Sequence, residues 1–156
     1  MKRVLRTEPK IDARNPDWER DLRDSFEHQG AMKLIGASLG ELRPGYVEIH
    51  LPFRPDLTQQ DGFFHAGITS TAVDTAGGFA GFSIMPAGCR VLSVEFKLNL
   101  LAPADGDEMI AEGHVLKSGK MLIITRGEVY VRKGGKLSHC ATMQQTLMTM
   151  YPDGAH

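Results

Sequence analysis

The sequence is short of the residues that announce most kinds of chemistry. Its two cysteines, Cys89 and Cys140, stand far apart with no C-x-x-C spacing. That argues against a disulfide scaffold and a zinc cluster, and reads as free thiols in a reducing cytoplasm. No charge of one sign dominates: 18 Lys and Arg face 19 Asp and Glu, a formal net charge of −1. Neither nucleic acid nor an anionic membrane is therefore implied as a partner, and no aromatic platform interrupts the scattered basic residues. Metal-ligand spacing is missing as well, since His114 and His139 fall on separate predicted strands. There is no G-x-S-x-G elbow and no G-x-G-x-x-G before a helix, and internal repeats and low-complexity segments are absent. The basic start, Met1 to Arg6, is followed by no apolar core of the kind a secretory signal needs. The expectation is a cytoplasmic domain.

What is present is periodicity. The 156 residues suit one domain, 15–150, flanked by a loose tail over 1–14 and a short one over 151–156. Asn15-Pro16-Asp17 predicts a helix start, and Trp18, Leu22 and Phe26 an amphipathic helix ending near Gln29-Gly30. Leu34 to Leu42 and Tyr46 to Phe53 read as a hairpin around Arg43-Pro44-Gly45. In its second arm Val47, Ile49 and Leu51 share one face, with Tyr46, Glu48 and His50 on the other. Arg90 to Leu101 alternates too, placing Leu92, Val94, Phe96, Leu98 and Leu100 opposite Ser93, Glu95, Lys97 and Asn99. Strands near Glu108 to Leu116, Leu122 to Arg132 and Lys136 to Met148 would continue this into a four-strand meander.

Between the two sets lies the most informative stretch. From His65 to about Ile84 there is no proline and one formal charge, Asp74, which reads as a buried helix of roughly 30 Å. Gly67, Thr71, Asp74, Gly78 and Gly81 make a stripe of small residues along it, and Ile68, Ala72, Thr75, Ala76, Phe79 and Phe82 a wider apolar surface. An acid in such a helix is costly unless it is paired or has a task. A short helix, two strands, a long buried helix and four further strands make an α+β fold with an antiparallel sheet packed on the helix.

The order and spacing of four segments carry a resemblance. His65-Ala66-Gly67, Val73-Asp74-Thr75-Ala76-Gly77-Gly78, Leu92-Ser93-Val94-Glu95-Phe96 and Val115-Leu116-Lys117-Ser118-Gly119-Lys120 together resemble the hotdog-fold PaaI-like acyl-CoA thioesterases, the phenylacetate-degradation and 4-hydroxybenzoyl-CoA thioesterase type. The resemblance covers roughly 34–148 and implies a curved antiparallel sheet wrapped around one long central helix. It also implies an acyl-CoA substrate, no metal and no cofactor, and a homo-oligomer, dimer or dimer of dimers (a homotetramer), with sites shared between subunits. On this family's pattern Asp74 is the catalytic acid, the Ala66 N–H polarises the thioester carbonyl where relatives usually carry glycine, and His65 opens the motif. Gln59 is the helper amide, and Ser93 the polar residue on the next strand. Gly67, Phe64, Glu95 and the turn Lys117, Ser118, Gly119 and Lys120 fall where the family holds substrate and coenzyme A.

The residues themselves permit that chemistry. A helix N-terminus offers unpaired N–H groups and the positive end of the macrodipole to a developing oxyanion, and Ala66 and Gly67 stand there. Asp74 lies about two turns further on, too far to reach that point within one chain yet able to face it across a two-fold axis. Plainer readings stand beside these: Asp74 as a buried acid tied to nearby hydroxyls, His65 as a cap, the lysine turn as a solvated hairpin, and Phe63, Phe64, Phe79 and Phe82 as core. The alternatives to an acyl-CoA thioesterase are an acyl-CoA-binding sensor, a dehydratase or hydratase on the same fold, and a self-associating structural protein.

Overall fold

The computed structural model describes residues 11–152. The first helix, α1 (Trp18–Glu27), begins later than the Asn15-Pro16 signal suggests. Asn15 Oδ1 accepts from the Asp17 N–H at 3.0 Å and Asn15 O from the Trp18 N–H at 3.2 Å, so Asn15 closes the turn before the helix instead of capping it. A second departure follows, because the predicted strand from Leu34 opens as helix α2 (Gly30–Ile35). Met32 and Ile35 are buried, and Gly36 at φ 77° supplies the left-handed residue that ends the helix. Strands β1 (Ser38–Arg43) and β2 (Tyr46–Pro52) then form the expected hairpin, turning through Gly45 at φ 78°.

The long helix α3 (Ala66–Phe82) is 17 residues, about 26 Å. After it come β3 (Arg90–Leu100), β4 (Glu108–Ser118), β5 (Leu122–Lys133) and β6 (Lys136–Met150). All six strands make one antiparallel sheet in the order β1-β2-β4-β5-β6-β3. The meander therefore holds for β4 to β6 only. By the end of α3 the chain has crossed the sheet, and β3 pairs with the free edge of β6 instead of leading into β4. Around the helix, Val47, Ile49, Leu51, Met109, Ala111, Val129 and Leu147 are fully buried. At about 25 cal/mol per Å² this apolar surface supplies the main driving force of the fold.

Helix and sheet approach most closely through glycines outside the predicted stripe. A Cβ at Gly113 on β4 would collide with the Ala76 carbonyl, and one at Gly77 with the side-chain oxygen of Gln145. Of the stripe, Gly81 turns towards Leu147, while Thr71, Asp74 and Gly78 line a cavity.

The strict alternation expected of β3 is also broken. A bulge between Ser93 and Glu95 leaves Val94 unpaired, so Ser93 lies opposite Leu147, and Phe96 opposite Gln145. Leu147 and Gln145 both face α3, and the extra residue therefore places Ser93 and Phe96 on one face. The expected partition of Leu92, Val94, Phe96, Leu98 and Leu100 against Ser93 is thereby corrected. As the sheet's edge, β3 leaves Leu92, Val94, Phe96 and Leu100 at least 42% exposed.

The expected tails lie largely outside the described residues, but their inner ends are packed. Ile11 sits under Gly45 and against the core, Arg14 donates to Ser118 Oγ at 3.3 Å, and the Tyr151 hydroxyl donates to the Lys120 carbonyl at 2.9 Å. No helix among the described residues is long and apolar enough to cross a membrane.

Candidate active site

Two cavities flank α3, and they divide the predicted site residues between them. The first, of about 320 Å³, lies at the helix N-terminus and is lined by Gln59, Phe63, Phe64, Ala66 and Thr69 from the loop and helix. Leu100, Ala102, Pro103, Ala104 and Cys140 close its other side, so the walls are mainly apolar. The second, of about 240 Å³, holds Asp74 and Ser93 together with Gln29, Ala31, Thr71, Thr75, Gly78, Phe79 and Val91. Asp74 stands eight residues beyond Ala66 on α3, about 12 Å along the axis, and lines only the second cavity.

At the first cavity, His65 is the N-cap of α3, and its Nδ1 accepts from the Gly67 N–H at 2.8 Å. That acceptor role requires the proton on Nε2, and it uses the imidazole as a cap. The Ala66 N–H, first in the helix, has no acceptor among the described residues. It lies where helix N-terminal amides and their dipole favour negative charge. Gln59 lines the cavity, yet its side chain is engaged within its own loop: Oε1 accepts from the Asp61 N–H and Nε2 reaches Asp61 Oδ2 at 3.4 Å. Phe64 is buried, packed edge-on to Phe53 with ring centroids 5.6 Å apart.

At the second cavity, the Ser93 hydroxyl donates to Asp74 Oδ1 at 2.7 Å. Gln145 Nε2 donates to the same oxygen and lies 3.1 Å from Ser93 Oγ. Behind it the Thr125 hydroxyl donates to Gln145 Oε1 at 2.9 Å. Asp74 Oδ2 has no protein donor among the described residues.

Gln145 and Thr125 were not singled out from the sequence, although a signal existed. Thr125 and Gln145 are register partners on β5 and β6. Each occupies an inward position among apolar neighbours, Ile123 and Val129 on one strand, Met143 and Leu147 on the other. Buried polar residues at inward positions ask for a partner.

The remaining predicted contacts lie elsewhere. Gly67 is exposed and lines neither cavity. Glu95 falls beyond the β3 bulge on the face turned away from α3, where it accepts from the Thr146 hydroxyl at 3.0 Å. Lys117, Gly119 and Lys120 are exposed on the β4–β5 hairpin, which the Gly119 N–H closes on the Leu122 carbonyl at 2.8 Å. One chain therefore joins Asp74 to Ser93, and Ala66 to Gln59 and Phe64, but not the two groups to each other.

The sequence profile of the thioesterase superfamily matches residues 61–138, which contain the helix, its N-terminal loop and the acid. The chain belongs to the thioesterase superfamily. A thioesterase family protein from Silicibacter pomeroyi is 41% identical and superposes with a TM-score of 0.85 over 86% of this chain and 99% of its own. Human acyl-coenzyme A thioesterase 13 is 29% identical over 109 residues, 69% of this chain and 74% of that protein. A provisionally named esterase of Halobacterium salinarum is 31% identical over 98 residues; the match spans 64% of its length, a little under two thirds. The E. coli PaaI protein from the phenylacetic acid degradation operon, 16% identical with a TM-score of 0.76, shares the fold. The expected hotdog architecture and the PaaI-like resemblance are thus borne out, and the protein is a hydrolase acting on thioester bonds.

Proposed function

We propose that this thioesterase hydrolyses an aryl- or short- to medium-chain acyl-CoA to the free acid and CoA. The observation that carries the reading is the state of Asp74, a carboxylate held by two donors on Oδ1 while Oδ2 is left to a cavity. The mainly apolar 320 Å³ cavity beside the Ala66 N–H suits an acyl group, and it supports that half of the reading. The name of the human relative, an acyl-coenzyme A thioesterase, supports the other.

In this mechanism the thioester carbonyl oxygen lies against the Ala66 N–H, with Gln59 turned from Asp61 to orient substrate or water. Asp74 of a second copy meets the carbonyl carbon from the other side. Its Oδ2 either takes a proton from the attacking water or attacks directly. The tetrahedral oxyanion faces the amide and the helix dipole, the C–S bond breaks, and CoA leaves as the thiolate, which takes up the proton released by water. After direct attack, water hydrolyses the acyl–Asp74 anhydride to the free acid and restores the carboxylate. Ser93 holds the carboxylate, and His65 holds the helix start. Lys117 and Lys120 offer cations to the phosphates of CoA. The chemistry asks for no metal or cofactor.

A dimer, or a dimer of dimers, would assemble each site from two chains. The exposed apolar side chains of edge strand β3 support that assembly. The free, buried Cys89 and Cys140 fit the reducing cytoplasm. The engagement of Gln59 with Asp61 favours a second reading, a protein that binds acyl-CoA without cleaving it.

The deciding experiment is free-thiol release from phenylacetyl-, benzoyl-, butyryl- and lauroyl-CoA by wild type and Asp74→Asn. Turnover on one of these, falling at least a hundredfold in a folded mutant, supports the enzyme and the role of Asp74. Turnover untouched by the mutation removes Asp74 from the mechanism. Tight binding without turnover on any substrate moves the reading to the sensor.

A further inference from the structure

Gln145 is 1% exposed and Thr125 fully buried, so neither can turn to water. An amide side chain is ambiguous between two flipped states, and here its partners decide which one is present. Gln145 Oε1 can only accept, and the Thr125 hydroxyl 2.9 Å away donates to it. The Asp74 carboxylate accepts only, so Nε2 faces it, 2.5 Å from Oδ1 and 3.1 Å from Ser93 Oγ, and the Thr125 hydroxyl serves the oxygen that remains. The flipped amide would set its oxygen against the carboxylate.

The donor count closes in one way. The two Nε2 hydrogens go to Asp74 Oδ1 and to Ser93 Oγ, with the Asp74 backbone carbonyl 3.3 Å away as a further acceptor, and the Ser93 hydrogen goes to Asp74 Oδ1. Oδ1 therefore has two donors and no room for a proton of its own, while Oδ2 has none among the described residues. Space for this arrangement comes from Gly77. A Cβ there would collide with Gln145 Oε1 and stand 3.0 Å from Thr125 Oγ1, so only a bare backbone lets the amide lie under the helix.

We infer that Gln145, supported by Thr125 and admitted by Gly77, is a positioning residue that pins Asp74 through Oδ1 and makes Oδ2 the oxygen that acts. The inference rests on the proposed role of Asp74 and adds to it the residue that fixes the rotamer and the choice of oxygen. Ser93 alone could not do this, because it brings a single hydrogen from an edge strand next to a bulge. The pair Thr125–Gln145 comes instead from two central strands in register.

The test compares Asp74→Asn, Gln145→Leu, Thr125→Val and Thr125→Ser on whichever acyl-CoA the wild type turns over, with folding checked by thermal melting. Gln145→Leu is expected to lower kcat at least tenfold with KM within twofold of wild type. Thr125→Val leaves Gln145 Oε1 without its donor and loosens the amide, lowering kcat by a smaller amount at unchanged KM, and Thr125→Ser restores kcat to within twofold. A merely structural role would lower the melting temperature without this split between kcat and KM and without the serine rescue. The inference is overturned if Asp74→Asn is inactive while folded Gln145→Leu and Thr125→Val keep the wild-type kcat. Should Gln145→Leu fail to fold, Thr125→Val and its serine rescue decide alone. An active Asp74→Asn is a different result: it overturns the role of Asp74, and the inference falls with it.

Discussion

Ala66 and Asp74 share one helix but open into different cavities, about two turns apart. The amide and the acid therefore do not meet at one carbonyl within a chain, and the proposed mechanism calls for the Asp74 of a second copy at this Ala66. Several measurements depend on that relationship.

Ala66→Pro removes one N–H and little else. Ala66 is the first residue of α3, where proline fits, and His65 before it already holds φ −64° and ψ 140°, a conformation proline tolerates in its predecessor. The variant is expected to melt within a few degrees of wild type while kcat falls on the order of a hundredfold or more, as for a lost oxyanion donor.

Mixing the inactive Ala66→Pro and Asp74→Asn proteins tests whether sites are shared. In a heterodimer one site would carry both lesions and the other neither, so activity returns on subunit exchange. Activity that stays at the level of the separate mutants would place each whole site within one chain.

Charge on the free edge of β3 separates assembly from chemistry. Leu92→Lys together with Val94→Lys puts two cations on exposed apolar positions. Size-exclusion chromatography with light scattering should show a smaller species, and thiol release should vanish although Asp74, Ala66 and Gln59 are untouched.

Gly113→Ala should be costly for reasons unrelated to catalysis. Its methyl would strike the backbone carbonyl of Ala76, which cannot move without displacing α3. A loss of about 3 kcal/mol, read by chemical denaturation, is the expected scale for overpacking at a rigid contact. A loss under 0.5 kcal/mol would mean that the helix can shift.

Cys140 lines the first cavity, but burial pushes its thiol up to about 11. At pH 8 it carries about a hundredfold less thiolate than an ordinary thiol, so a disulfide reagent should leave it unmodified until the chain is unfolded. The folded value lies above the unfolded one. The associated stability is therefore fully present below pH 9 and declines as pH rises from about 9 to 11. Rapid modification of the folded protein at pH 8 would contradict this burial.

Local pattern in the sequence determined a great deal. The uncharged run around Asp74 specified α3 to within two residues, and the alternation of Val47, Ile49 and Leu51 specified the buried face of β2. The motif order carried the family. Spacing along the helix also showed that Asp74 and Ala66 stand apart, because rise per residue is a local property.

Tertiary structure decided the rest. Pairing between strands is not written in the period of either one, so β3 moved from the β4 side to the outer edge of β6. A single bulged residue, Val94, reversed the face on which Phe96 lies relative to Ser93. The Thr125–Gln145–Asp74 chain joins positions 20 and 71 residues apart and exists only because two central strands meet in register beneath Gly77. Hydrogen bonds between distant residues depend on packing that alternation cannot encode. For that reason the acid was visible in the sequence, and the residue that holds it was not.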